Sequence, residues 1–335
     1  MQLEEETLVN EVLWFSRTRR GSPRGPWPAE IATLKSNLRR IWNAGDYDRL
    51  SRYMYTEAEA FYRRLAVSPG SRLLDVACGS GELALIAARN GVDVTGIDIA
   101  ENLVERARER ARVEGLSARF LEADAEDLPF SNATFDVVTS LTGAMFAPRP
   151  EVVAKELLRV CRPDGIVAMA NWTQEGFSGR LFGAIAKFIA PSGMRPPLLW
   201  GDEAHVRELL GAGTTTLMFT RRKTVLEFPF PPGEVVQFFR RYHGPSNRAF
   251  ASLNRTGRKR LQEELEELWT THNLAHGGFT KVDAERLEVV ARVGTRQRGD
   301  QNDSVKRAGE SLSTPAAVGR RDRAELRWRG IRRPE

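Results

Sequence analysis

Short apolar runs recur at Arg72–Val76, Asp93–Ile97, Ala118–Glu122, Phe135–Ser140 and Ile166–Ala170. Helical stretches at Glu82–Asn90, Glu101–Glu114 and Glu151–Cys161 are set between them. Strands alternating with helices cannot pair as hairpins, because each crossover carries the chain back to start the next strand in the same direction. The pattern therefore predicts an α/β fold with a parallel sheet and helices on both faces. The helix over Glu101–Glu114 is amphipathic, with Leu103, Val104, Ala107 and Ala111 on one face.

The first strand ends in an acid and opens into small residues, Leu73-Leu74-Asp75-Val76-Ala77-Cys78-Gly79-Ser80-Gly81, before the helix begins near Glu82. Such a turn exposes backbone N–H groups at a helix N-terminus, where a polar ligand can approach closely. Gly79-Ser80-Gly81-Glu82-Leu83-Ala84 matches the G-x-G-x-x-A dinucleotide pattern, a weak signal by itself. Three acids add information. Asp75 precedes the turn, Asp98 closes the second strand, and Asp124 follows the third. All three fall at or just beyond strand C-termini, where open α/β sheets bind ligands. Asp98 suits the two hydroxyls of a ribose, and Asp124, between Ala123 and Ala125, suits an adenine amine with room for the ring. An acid at position 75 disfavours a pyrophosphate and favours a ligand carrying an ammonium and a sulfonium, which points to S-adenosylmethionine rather than NAD.

Before the first strand, Ile31, Leu34, Leu38 and Ile41 mark one helix and the aromatic-rich stretch from Tyr47 to Leu65 another. Both are placed to cover a pocket mouth. Beyond the fifth strand, residues 178–212 read as helix broken by prolines, Thr214–Phe230 as one or two strands, Glu234–Tyr242 and Arg258–Leu274 as helices, and Arg286–Val293 as a last strand. The expected organisation is a flexible arm at 1–29, a domain at 30–292 with helical lid segments at about 30–66, 178–212 and 232–280, and a basic, disordered tail at 293–335. The net charge of +6 is concentrated in that tail, which holds 11 Lys/Arg against 6 Asp/Glu. The nearly neutral remainder argues against nucleic acid as the main partner. No apolar run is long enough to span a bilayer and the acidic start is unlike a secretory signal, so a cytoplasmic location is expected.

Several stretches together resemble the class I S-adenosylmethionine-dependent methyltransferases: Leu73–Gly81, Gly96–Ile99, Asp124–Phe130, Phe135–Val138 and Glu156–Gly165. The branch is similar to the ubiquinone/menaquinone-biosynthesis methyltransferases, and the likeness covers roughly residues 35–292. It implies a Rossmann-like seven-stranded sheet whose last strand is antiparallel. It also implies cofactor contacts at Asp75, Gly79, Gly81, Asp98, Ile99, Asp124 and Ala125, with Ser140 and Leu141 nearby. Ala77 stands where the family often has Gly, which puts close backbone approach at that point in question.

Methyl transfer needs a nucleophile aligned with the C–S bond and water excluded; no particular catalytic side chain is demanded. For a hydroxyl acceptor a general base helps, and His243, in Arg241-Tyr242-His243-Gly244-Pro245, is the candidate. Met145, Phe146, Trp172 and Trp200 are loop-placed apolar residues, the first two following the fourth strand and Trp172 the fifth, and with Tyr242 beside His243 they are the candidate substrate contacts. They suit a small apolar or aromatic acceptor. A metal is not expected: His272 and His276 form H-x-x-x-H with Asn273 where a zinc protease carries Glu, and no third ligand is evident. Rival readings are a nucleic-acid methyltransferase using the basic tail, a protein that binds the cofactor without catalysis, and an NAD oxidoreductase.

Overall fold

The computed structural model describes residues 28–44, 46–188 and 194–295. Three helices come first: α1 (Pro28–Asn43), α2 (Tyr47–Ser51) and α3 (Tyr55–Leu65). Then follow β1 (Arg72–Val76), α4 (Glu82–Arg89), β2 (Asp93–Asp98), α5 (Glu101–Val113), β3 (Ala118–Glu122), β4 (Phe135–Leu141), α6 (Pro150–Val160) and β5 (Cys161–Trp172). The C-terminal half contributes α7 (Phe177–Ala186), α8 (Glu203–Leu210), β6 (Thr214–Phe228), α9 (Pro232–Tyr242), α10 (Gly244–Ser252), α11 (Arg255–Thr271) and β7 (Thr280–Val293).

The strands form one seven-stranded sheet in the order β3-β2-β1-β4-β5-β7-β6. β7 is antiparallel to both β5 and β6, as the family resemblance implies. The order reverses beside β1, between β2 and β4, which opens a crevice at the carboxyl ends of these strands. Helices cover both faces because the central strands are buried throughout: Leu73, Leu74 and Val76 of β1 are fully enclosed, as are Val138 of β4 and Val167 of β5. Phe120 and Cys78 fill the space over Gly96 in β2, where a Cβ would lie 2.7 Å from the Phe120 ring and 2.9 Å from Cys78 Sγ.

Three features differ from the sequence expectation. Pro163-Asp164-Gly165, which by its residue types reads as a turn between the helix Glu151–Cys161 and the strand Ile166–Ala170, lies inside β5 as an irregularity: the register against β4 shifts between Phe135 and Val137, and Asp164 takes a left-handed φ of 60°. β7 starts at Thr280 rather than Arg286, because its early residues pair only with β6. From Lys223↔Glu285 to Phe228↔Thr280, β6 and β7 continue as a two-stranded ribbon past Trp172, where β5 stops. Finally, α10 occupies a stretch between the two expected lid helices that the sequence reading leaves without an element; Pro245 is tolerated because it falls in the first helical turn. The expected arm and tail lie outside the described residues, apart from the ends Pro28, Ala29 and 293–295.

Candidate active site

The turn after β1 is built from left-handed residues. Ala77, Gly79 and Gly81 have φ of 55°, 56° and 83°. The Cys78 N–H donates to Ile97 O at 2.8 Å and the Gly79 N–H to Asp98 Oδ2 at 2.9 Å, which ties the turn to the end of β2. The other Asp98 oxygen accepts from the Ala100 N–H at 2.9 Å. Gly81 caps α4 and packs inward, where a Cβ would lie 3.1 Å from Ala107 and 3.2 Å from the Phe120 ring. Ala77 is thus accommodated, in a conformation that costs a non-glycine residue about 1–2 kcal/mol. Its neighbour compensates: a Cβ on Gly143 would meet Ala77 O at 2.4 Å and Ala77 Cβ at 2.7 Å, so the loop after β4 must carry glycine to pass over Ala77.

A cleft of about 1100 Å3, including space open to solvent, lies above this turn. Its walls bring together Asp75, Ala77, Gly79, Asp98, Ile99, Asp124, Ala125, Leu141 and Phe146, nine of the residues singled out in the sequence. Asp75 is buried, and its Oδ1 accepts from Thr139 Oγ1 at 3.2 Å. Burial pushes its carboxyl up to about 7, moderated by hydrogen bonds from Thr139 and the Ala84 N–H and reinforced by the nearby Asp98. Burial also raises Asp98, against the pull of its backbone donors. Asp124 is held from the N-terminal side: Lys35 Nζ lies 2.5 Å from Asp124 Oδ2 and 2.7 Å from Glu126 Oε2. Glu126 is also paired with Arg149 at 2.8 Å.

Sequence reasoning missed the other wall. Lys35, Leu38 and Trp42 of α1 and Tyr47 and Ser51 of α2 all line the cleft. The signal available was the aromatic content of these helices, which suggests a cover without showing which side chains turn inward. The Tyr47 hydroxyl bonds Thr142, and burial pushes it up to about 12, so it stays protonated at neutral pH.

Tyr47 also lines a second, smaller cavity of about 460 Å3, together with Leu50, Tyr53, Trp172, Ser178, Leu181, Phe182, Leu226, Phe228, Phe239 and His243. The remaining predicted residues are sorted by these two spaces. Trp172 and His243 belong to the second cavity. Gly81, Ser140, Met145, Trp200 and Tyr242 line neither. Ser140 is structural, with Oγ donating to Val76 O at 2.8 Å and accepting from the Ala144 N–H at 2.9 Å. Met145 and Trp200 are core residues, each 1% exposed. Tyr242 packs on Phe238, with the Arg49 guanidinium 5.0 Å from its ring centre.

His243, the candidate base, lies in the wall of the second cavity. Its ring is buried between Phe182 and Phe239, and Nδ1 lies 2.9 Å from Ser246 Oγ. Burial pulls the imidazole down to about 3, so the ring is neutral near pH 7 and only weakly basic. His272 Nδ1 contacts Leu268 O at 2.9 Å, and among the described residues no group of three or more His, Cys, Asp or Glu is arranged to hold a metal ion. No described helix is long and apolar enough to cross a membrane.

The family described as "Methyltransferase domain" matches residues 74–169, which run from β1 to β5 and carry the acids of the cleft. An uncharacterized Mycobacterium tuberculosis protein is 36% identical over 244 residues, covering 71% of this chain and 89% of its own length. The chain is a class I S-adenosylmethionine-dependent methyltransferase. The 27-O-demethylrifamycin SV methyltransferase of Amycolatopsis mediterranei is 38% identical over 151 residues, covering 44% of this chain and 50% of its own. In fold, the methyltransferase is similar to the YcgJ protein of Bacillus subtilis, with a TM-score of 0.51 at 19% identity over 72% of this chain and 99% of that one. The cleft of the methyltransferase fits its cofactor by charge. Asp75, Asp98 and Asp124 line the cleft together with Lys35, a balance of charge that suits a cationic ligand.

Proposed function

We propose that this methyltransferase acts on a small apolar or aromatic acceptor, methylated at oxygen or carbon and bound in the second cavity. The observation that carries the proposal is the shared wall: Tyr47 lines both the acidic cleft and the aromatic cavity. Two adjoining spaces of opposite character, one acidic and one walled by Tyr53, Trp172, Phe182, Phe228 and Phe239, suit a polar cationic donor and an apolar acceptor.

In this reading Asp75 faces the ammonium of the cofactor, Asp98 the ribose hydroxyls and Asp124 the adenine amine. Ile99, Ala125 and Leu141 pack along the ring and ribose, and the Gly79 backbone lets the ligand come close. When bound, S-adenosylmethionine supplies a methyl group made electrophilic by its sulfonium. The chain's own contribution is alignment and exclusion of water by α1, α2 and the aromatic cap. With His243 and Tyr47 both unsuited to taking a proton at neutral pH, the reading favours an acceptor that is already acidic or already nucleophilic. The name of the rifamycin relative, which specifies an oxygen acceptor, supports a hydroxyl.

A labelled-methyl screen across quinols, phenols and amines tests the proposal. Transfer to a phenol or quinol is expected. Transfer to amines alone, or to RNA with a dependence on residues 296–335, would replace it with another reading.

A further inference from the structure

The second cavity carries no charge in its wall: no Asp, Glu, Lys or Arg is among the residues that line it. Arg286, a cation 1% exposed, has its guanidinium carbon 5.1 Å from the centre of the Trp172 ring but lines neither space. Apart from the aromatic Tyr47, Tyr53 and Trp172, the polar side chains of the wall are Ser178 and His243, both buried. Among the described residues no hydrogen bond reaches Ser178 Oγ or His243 Nε2. Neither atom is sealed off, unlike the unpartnered Asn171 amide or the Trp269 N–H, so the exposure each keeps opens on the cavity.

The two groups share one part of the wall. Ser178 and Phe182 are one turn apart on α7 and hence on one face, and the Phe182 ring centre is 6.1 Å from that of His243. α7 opens on Gly176, an N-cap with no side chain to offer, which leaves Ser178 at the positive end of the helix. The other imidazole nitrogen fixes where the ring proton goes. Nδ1 lies 2.9 Å from Ser246 Oγ, and Ser246 is fully buried. The Ser246 hydroxyl has no other acceptor among the described residues, and a buried donor left unused is costly. Ser246 therefore donates to Nδ1, and the neutral ring carries its proton on Nε2. Two uncharged donors, Nε2–H and the Ser178 hydroxyl, thus meet the same part of an otherwise aromatic and aliphatic cavity.

We propose that Ser178 and His243 are specificity-determining residues that together hold a carbonyl oxygen of the acceptor, so that the substrate is an uncharged aromatic carbonyl compound. A carbonyl oxygen brings two lone pairs and no proton, the complement of two donors. The uncharged wall disfavours a carboxylate or an ammonium, either of which would be buried without a counter-charge. The carbonyl is a handle, and the atom that takes the methyl group lies elsewhere on the molecule. This rests on the assignment of the second cavity to the acceptor.

The test is equilibrium dialysis of the full chain saturated with S-adenosylhomocysteine, using 2-acetylnaphthalene, its alkene isostere 2-isopropenylnaphthalene, and 2-naphthoate. The ketone is expected to bind roughly tenfold tighter than the alkene, the margin of two net hydrogen bonds, and tighter still relative to naphthoate. Ser178→Ala should weaken the ketone about threefold and leave the alkene unchanged. His243→Phe should do the same, and His243→Gln, whose amide still donates, should keep part of the preference. Ser178→Ala decides the matter if His243→Phe does not fold. Imidazole nitrogen NMR shifts of the ligand-free protein should place the His243 proton on Nε2. Alkene binding as well as ketone, naphthoate binding tightest, Ser178→Ala weakening ketone and alkene alike or neither, or a proton on Nδ1 overturns the pair while leaving the cavity as the acceptor site. If none of the three probes binds, the assignment of the cavity to the acceptor falls and the pair falls with it.

Discussion

Asp75→Asn separates what the cleft does for its ligand from what it costs the fold. The Asp75 carboxyl is pushed from an ordinary 3.8 to about 7, first of all by burial. Its folded-state value lies above the unfolded one, so its contribution to stability is fully present below about pH 4 and is lost as pH rises through about 7. At 1.36 kcal/mol per unit, a difference of about 3 units amounts to about 4 kcal/mol by pH 8. Asparagine cannot ionise, keeps nearly the same shape, and still offers an oxygen to Thr139 and the Ala84 N–H. In urea unfolding of the ligand-free protein, Asp75→Asn should match the wild type near pH 4 and exceed it at pH 8 by up to about 4 kcal/mol. The same substitution should weaken S-adenosylmethionine binding. The wild-type Kd should rise about tenfold per pH unit below about 7, where the carboxylate must first lose a proton, while the variant shows no such slope. A stability difference that does not change between pH 4 and pH 8, or an Asn variant less stable at pH 8, would refute the account of Asp75 as a carboxylate held at a cost for the ligand's charge.

Other perturbations probe the walls. Ala77→Gly removes left-handed strain and should change stability by no more than about 1 kcal/mol in either direction, since strain relief is offset by unfolded-chain entropy; Gly143→Ala, driven into Ala77 O, should lose about 3 kcal/mol, both read by thermal unfolding. Lys35→Met frees Asp124 from its cation and should tighten S-adenosylmethionine binding several-fold by calorimetry; weaker binding would assign Lys35 to the ligand instead. His243→Gln should leave the pH dependence of methyl transfer between pH 6 and 8 unchanged, and a lost inflection in that range would restore the histidine as a base.

The acidic half of the site was legible because each of its residues sits at a strand end, and strand ends follow from the alternation of apolar runs with helices. Asp75, Asp98 and Asp124 fall into one cleft for the simple reason that β1, β2 and β3 are parallel neighbours. The other half depends on how helices cross the sheet, which no local pattern records. Lys35 and Leu38 share a helix with Ile31 and Leu34, yet only the packing of α1 decides which of them reaches the cleft. Trp200 reads as a loop aromatic, but the short helix at Pro197–Gly201 tucks it into the core, with Gly201 so close to Trp172 O that a Cβ there would lie 2.2 Å away. Arg286 looks in the sequence like the polar edge of a last strand. It becomes a buried cation because β6 and β7 run on past β5.

The position of Tyr47 has a thermodynamic consequence. A single ring bounds both spaces, so an occupant that shifts it on one side alters the free energy of filling the other. Such coupling is reciprocal: if the donor raises the affinity for the acceptor by some factor, the acceptor raises the affinity for the donor by the same factor. With the acceptor in the second cavity as proposed, coupling of either sign through Tyr47 would be read in how tightly each acceptor makes the enzyme hold its methyl donor.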